Sequence, residues 1–416
     1  MQTFRQISVI GLGYIGLPTA AVFAQHGLSV IGVDVNQHAV ETINRGDIHI
    51  VEPGLGAVVK RAVADGLLRA VLKPEPADAF LMAVPTPFND DYTGDLSYIR
   101  KAAEALAPVL SKGNLIILES TSPVGTTEQL ERWLMDLRPD LTFPTQAGDV
   151  ADVQVAYCPE RVLPGQVMHE LVQNDRVIGG LSPRASSLAA DLYNVFLKGD
   201  CLLTHARTAE MAKLTENSFR DVNIAFANEL SLICDHLDIN VWELIRLANH
   251  HPRVNILQPG PGVGGHCIAV DPWFIVSSAP EQAKLIRTAR EVNDFKPQWV
   301  FERVQATLKS SGQAEQLTVA CLGLAFKPNI DDLRESPALA IARRIAEEHA
   351  GTTLVVEPNI EPTANPVAGA ELCDLNEALQ RADVVVLLVD HTPFKAITRA
   401  QLEGKQWVDT RGLIDG

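Results

Sequence analysis

Short apolar runs recur along the chain in alternation with helical segments. Residues 7–10, 29–33, 79–84, 115–118 and 153–156 consist mostly of Val, Ile, Leu, Ala, Phe and Met. Each run is too short for a buried helix and is flanked by turn residues, so each reads as a strand. Strands alternating with helices up to about residue 206 predict a parallel sheet covered by helices on both faces. From 208 to 248 the pattern changes: apolar residues recur at helical spacing with no Gly or Pro between them, which predicts long helices in a separate central element. Alternation resumes after 317, with strands at 318–322, 353–356, 384–389 and 407–409, a helix over 337–349, and 312–316 leading in. The expected fold is α/β: two Rossmann-like, doubly wound parallel-sheet domains joined by a central helical region, divided at 1–206, 207–311 and 312–416.

Composition narrows the class of protein. A chain of 416 residues, 46% hydrophobic and 21% charged, is long enough for two or three cores. Its formal net charge of -16 repels nucleic acid and anionic membrane surfaces, so an anionic ligand has to be met by a local group of basic residues. Six cysteines lie far apart without a CxxC pair, which reads as reduced thiols. The first ten residues enter a strand pattern directly, and no apolar run reaches membrane-spanning length. The expectation is a cytoplasmic protein without nucleic-acid or membrane partners.

The first strand runs straight into Gly11-Leu12-Gly13-Tyr14-Ile15-Gly16, and the apolar helix pattern follows at once. Strand, GxGxxG and helix are the parts of a dinucleotide site: the glycines permit a tight turn and close backbone approach, and the helix N-terminus offers free N–H groups to a pyrophosphate. Asp34 stands after the second strand, where an acid meets adenosine ribose hydroxyls and repels a 2′-phosphate, so NAD is expected over NADP. Thr86 and Thr127 follow later strands and are candidate donors to the cofactor, although threonine is also an ordinary turn and cap residue.

The stretch from Gly260 to Pro272 is rich in glycine and carries Cys267, with Asp271 four residues on. A nucleophilic thiol needs such open backbone, whereas a cysteine in isolation is more often an inert core residue. His250, His251, His266 and Cys267 lack paired ligand spacing, so no metal is expected. Lys213, Asn217 and Arg220 fall on one helical face, a pattern that serves an oxyanion or phosphate site or simply a solvated stripe. Glu160, in Cys158-Pro159-Glu160-Arg161-Val162-Leu163-Pro164-Gly165, is a candidate base or a turn residue.

Taken in order, the GxGYxG turn, Pro159-Glu160, the Lys213/Asn217 helix, Gly264-Gly265-His266-Cys267-Ile268-x-x-Asp271-Pro272, and the segment from Phe326-Lys327 to Ser336 resemble the UDP-glucose/GDP-mannose dehydrogenase family over nearly the whole chain. The segments at 158–165 and 251–260 are similar to those of members acting on UDP-N-acetyl-D-mannosamine. Arg161 and Pro164 depart from the glutamate-bearing segment of many UDP-glucose enzymes. The resemblance implies oxidation of the sugar at C6 with two NAD and one water, through a thioester on Cys267. It implies Asp271 and a held water as acid and base, Lys213 and Asn217 as oxyanion stabilisers, and Glu160 directing the hydrolytic water. It further implies substrate contacts from Arg161, Val162, Arg220, His251, Arg253, Gly264, Lys327 and Arg334, a homodimer through the central helices, and a place in cell-surface polysaccharide precursor synthesis. Two other readings stay open from the residues alone: a two-electron hydroxyacid-type dehydrogenase, which needs no thiol, and a dinucleotide-sensing scaffold, which leaves Cys267, Lys213 and Lys327 unexplained.

Overall fold

A computed structural model describes residues 4–89, 91–163, 165–265, 267–310 and 314–414. Pro164, His266 and Gly312, all part of sequence-based expectations, lie outside the described residues. The chain divides into two compact units, Met1–Glu216 and Asn217–Gly416, and the division falls inside the 31-residue helix Ala206–His236.

In the first unit eight strands form one sheet: β1 (Gln6–Ile10), β2 (Ser29–Val33), β3 (Leu68–Val71), β4 (Ala79–Met82), β5 (Leu115–Leu118), β6 (Gln154–Tyr157), β7 (Arg176–Gly180) and β8 (Cys201–His205). Their order is β3-β2-β1-β4-β5-β6-β7-β8, with all pairs parallel except β6 with β7. Ile10 pairs with Val33 on one side and Met82 on the other, so the chain winds outward in both directions from the β1/β4 boundary. That boundary opens a crevice beyond the strand C-termini.

Both faces of this sheet are covered, which is why its strands read as unbroken apolar runs. Along β4, Ala79 and Leu81 enter one core while Phe80 and Met82 enter the other. Full burial of a side chain such as Phe80 stabilises by about 1.5–3 kcal/mol.

The second unit carries a five-stranded parallel sheet of order β11-β10-β9-β12-β13, with β9 (Val319–Leu322), β10 (Thr353–Val356), β11 (Glu371–Leu372), β12 (Val384–Leu387) and β13 (Gln406–Asp409). Val319 and Cys321 face one core, Ala320 and Leu322 the other. The unit also carries helices Val241–Ala248, Asp271–Ser278, Lys284–Ser310, Pro337–Glu348 and Leu375–Arg381. Helix Pro337–Glu348 starts on Ser336, whose hydroxyl accepts from Leu339 N at 3.2 Å and donates to Leu324 O at 2.6 Å. Among the described residues no helix is long and apolar enough to cross a membrane.

Several boundaries differ from the pattern reading. The strand expected at 153–156 is displaced by one residue, because the buried Tyr157 continues it. Those expected at 79–84 and 384–389 end two residues earlier, at Met82 and Leu387. Four strands were not expected at all: β3, β7, β8 and β11. β3 exposes Arg69, β7 begins on an arginine and ends on two glycines, and β8 lies at the sheet edge with Leu202 and Leu203 half exposed.

Candidate active site

The turn after β1 needs its glycines for different reasons. Gly11 has φ +92°, and a Cβ there would sit 2.4 Å from Ala83 O; a Cβ on Gly16 would sit 1.8 Å from Gly11 O. Both close the turn against the protein itself. Gly13 is different: nothing lies within 4 Å of where its Cβ would be. Tyr14 is exposed, Ile15 half-buried, and helix Gly16–Gln25 begins without a side-chain cap. Asp34 accepts from Leu12 N at 2.9 Å and from Asn36 N at 2.8 Å, which pins the acid to the glycine turn. An open glycine, an uncapped helix N-terminus and an acid after β2 are the fittings that a dinucleotide requires.

The hydroxyls of the two threonines each meet a partner within the protein. Thr86 donates its hydroxyl to the Thr121 carbonyl. Thr127 is fully buried and donates at 2.6 Å to Glu210, which also accepts from Gly125 N at 2.6 Å and Thr127 N at 2.8 Å. Glu210 thus closes the N-terminus of helix Thr126–Leu137. Burial pushes the Glu210 carboxyl up, while these three donors pull it down. Nothing in the local sequence marks Glu210, which acts across more than 80 residues.

Beyond β6, Glu160 accepts from Arg161 N at 2.7 Å and pairs at 3.2 Å with Arg176, which is buried on β7. Arg176 also reaches Cys158 Sγ at 3.7 Å and lies 4.3 Å over the Tyr193 ring. Tyr193 donates at 2.6 Å to Glu119, whose carboxyl burial pushes up to about 7 against the pull of Arg176. Burial likewise pushes the Cys158 thiol up to about 12, which keeps it unreactive. Arg161 is paired with Glu216 at 2.8 Å and donates to Asp175 O at 3.1 Å, and Val162 packs on the first unit's core. Arg176, Glu119 and Tyr193 were missed; a lone arginine in an apolar strand was the available signal for the first.

Lys213, Asn217 and Arg220 do lie on one continuous helix, half-buried, buried and exposed respectively. Within the second unit, Asn217 donates its amide to the Asp271 carboxylate at 2.5 Å, and both are buried. Asp271 N in turn donates to Cys267 O at 2.9 Å as helix Asp271–Ser278 begins. One turn therefore holds the cysteine backbone and the carboxylate, and the Asn217 amide meets that carboxylate from the long helix. Cys267 is the exposed cysteine among the chain's six.

The glycine run before Cys267 is explained by what it touches. A Cβ on Gly264 would meet Glu335 O at 2.3 Å, Pro337 Cδ at 2.7 Å and Phe326 Cβ at 2.9 Å, so the cysteine loop lies directly on the segment that carries Lys327. Gly260 N donates to the buried Asn228 at 2.9 Å, which ties the same loop to the long helix. Lys327 is half-buried, whereas Arg334 is exposed and paired with Asp332 at 2.7 Å. His251 and Arg253 are exposed, with Arg253 N donating to His251 Nδ1 at 3.3 Å.

Residues 5–197, 207–295 and 320–416 match, in that order, an NAD binding domain, a central domain and a UDP binding domain of one enzyme family. The chain belongs to the UDP-glucose/GDP-mannose dehydrogenase family. A UDP-N-acetyl-D-mannosamine dehydrogenase of Yersinia pestis is 65% identical over 417 residues, covering 99% of each chain. An NDP-N-acetyl-D-galactosaminuronic acid dehydrogenase of Ralstonia nicotianae is 62% identical, covering 99% of this chain and 96% of its own. A solved UDP-D-ManNAc dehydrogenase from Pyrococcus horikoshii aligns with a TM-score of 0.88 at 39% identity, covering 99% of this chain and 96% of that one.

As a member of that family the chain is an NAD-dependent dehydrogenase, and its glycine turn and Asp34 belong to the matched NAD binding domain. Cys267, Asp271 and Asn217 fall in the matched central domain, and Lys327 and Arg334 in the UDP binding domain. An exposed thiol, a buried carboxylate and an amide aligned by it are groups for covalent and acid–base chemistry at a carbonyl.

Proposed function

We propose that this chain oxidises UDP-N-acetyl-D-mannosamine at C6 to UDP-N-acetyl-D-mannosaminuronate, consuming two NAD and one water. The observation that carries the reading is the turn joining exposed Cys267 to the buried Asn217–Asp271 pair. NAD, when bound, supplies the hydride acceptor for both oxidations. In the first, Asp271 and a held water take the C6 hydroxyl proton as the alcohol becomes an aldehyde. The Cys267 thiolate then adds to the aldehyde carbon, and Lys213 and Asn217 stabilise the resulting oxyanion. Loss of the second hydride leaves a thioester; water directed by Glu160 breaks its C–S bond and releases the acid and the free thiol.

Arg161, Val162, Arg220, His251, Arg253, Gly264, Lys327 and Arg334 form the proposed substrate set, and the basic members offset the diphosphate's charge on an otherwise acidic chain. The three working segments are 1–206, 207–311 and 312–416. The protein acts in the cytoplasm as a homodimer: Phe219, Phe226 and Ile233 are exposed at seven-residue intervals on one helix, an apolar stripe suited to a two-fold partner. Its product serves cell-surface polysaccharide synthesis of the enterobacterial common antigen type.

The test is stoichiometric. Purified protein with limiting UDP-N-acetyl-D-mannosamine should yield two NADH per sugar, and Cys267→Ser should stall. One NADH with an active mutant would refute the thioester route. The Ralstonia relative makes the N-acetyl-galactosamine nucleotide the informative competitor, alongside the N-acetyl-glucosamine and glucose nucleotides; a preference for any of these would overturn the substrate and leave the chemistry standing.

A further inference from the structure

The two sheets repeat one local device with different outcomes. After β1, Gly11 turns at φ +92° and Leu12 N donates to Asp34 at 2.9 Å; after β9, Gly323 turns at φ +90° and Leu324 N donates to Glu357 at 2.8 Å. Glu357, however, is enclosed. It accepts a second backbone bond from Ala325 N at 3.0 Å, a bond from the Asn359 amide at 3.0 Å, and His391 Nε2 at 3.0 Å. Both Glu357 and His391 side chains are fully buried.

Histidine 391 faces the other way with its second nitrogen. Nδ1 accepts from Asn329 N at 2.9 Å and from the Asn359 amide at 3.0 Å, so the ring proton sits on Nε2 and is donated to Glu357. Asn329 has φ +62°, a conformation costly for a residue with a side chain, and its own Oδ1 accepts from Thr392 N at 2.9 Å. It lies two residues after Lys327, in the segment against which Gly264 packs.

We propose that the buried Glu357–His391 pair is a positioning device for the 326–336 segment: it holds the left-handed turn at Asn329 and thereby sets Lys327 for the nucleotide. The proposal rests on the reading of Lys327 as a nucleotide-sugar contact. An acid that reads a ribose in the first sheet serves, in the second, to shape the loop from behind.

The experiment measures UDP and NAD affinity of the full chain by calorimetry, with thermal melts as a check on folding. His391→Leu removes all three bonds of the ring and should weaken UDP binding about tenfold or more while leaving NAD affinity unchanged. His391→Gln, which keeps a donor toward Glu357, should recover most of the loss. If His391→Leu does not fold, Asn359→Ala, at an exposed position, removes donors to both members and should weaken UDP about threefold. Lys327→Ala is the control. If it weakens UDP but folded His391→Leu, or Asn359→Ala in its place, binds UDP like the parent, the positioning role is overturned. If Lys327→Ala itself binds UDP like the parent, the loop's assignment fails and takes the proposal with it.

Discussion

Gly13→Ala separates the function of the glycine turn from its construction. Beyond Gly13 itself and its two chain neighbours nothing lies within 4 Å of the added methyl, and Gly13 is not among the residues with positive φ. The folded state therefore accepts alanine without strain, and the smaller entropy of the unfolded chain should stabilise the protein by about 0.4–1 kcal/mol. The methyl nevertheless stands in the space where the backbone must approach a pyrophosphate. Losing one hydrogen bond to a charged group costs about 1.5–3 kcal/mol, equivalent to a rise in the NAD dissociation constant of about 10- to 150-fold. Calorimetric titration with NAD and a thermal melt read the two effects independently. Gly16→Ala is the opposite control: its methyl would lie 1.8 Å from Gly11 O, so the turn itself should fail. Unchanged NAD affinity in Gly13→Ala, or a melting point that falls with the affinity, would refute the reasoning.

Three further outcomes are expected. Thr127→Val should lower stability by about 1–3 kcal/mol, because Glu210 loses a buried donor; NAD KM should stay unchanged, and a raised KM with an unaltered melt would assign the hydroxyl to the cofactor instead. Gly264→Ala should cost about 1–3 kcal/mol from overpacking and lower turnover, measured by melting and steady-state kinetics; a well-folded, fully active variant would show that the cysteine loop need not lie on the 326–337 segment. Burial pushes Lys296 down to about 7, so the folded state binds fewer protons than the unfolded one between about 7 and the ordinary lysine value of 10.5. Stability from this group should rise with pH across that window, and Lys296→Met should flatten the rise in a pH series of denaturant melts; an unchanged slope would argue against the assignment.

How legible each part was depended on how far away its partners lie. β1, β2 and β5 were readable because burial on both faces demands an unbroken apolar run, and turn residues end each one. β8 was not, since an edge strand with exposed leucines needs no such run. The glycine turn and the Gly260–Asp271 stretch were readable because glycine itself marks the position of a close approach, even where the atom approached, Ala83 O for Gly11 and Glu335 O for Gly264, is distant in sequence. Glu210, Arg176 and Glu119 were not, because each acquires its role from a partner brought by tertiary folding: Thr127 lies 83 residues from Glu210, Glu160 lies 16 from Arg176, and Tyr193 lies 74 from Glu119. Asn217 and Asp271 were each singled out, but their mutual bond across 54 residues belongs to the fold.

The second sheet shows why an acid after the second strand is weak evidence when read alone. Glu357 occupies the same place after β10 that Asp34 occupies after β2, and each receives an N–H from the residue following the glycine turn. What differs is the remainder of the turn. Counting from Gly323, the positions equivalent to Gly13 and Gly16 are Ala325 and Pro328. Ala325 directs its N–H inward to Glu357, and a proline at the next position has no N–H to offer a pyrophosphate. His391 then donates to the same carboxylate from behind the turn, with both ring nitrogens engaged. Placing glycines at 325 and 328 would therefore not create NAD binding in the second unit, because Glu357 would remain sealed behind His391; measurable NAD binding by such a variant would contradict this account.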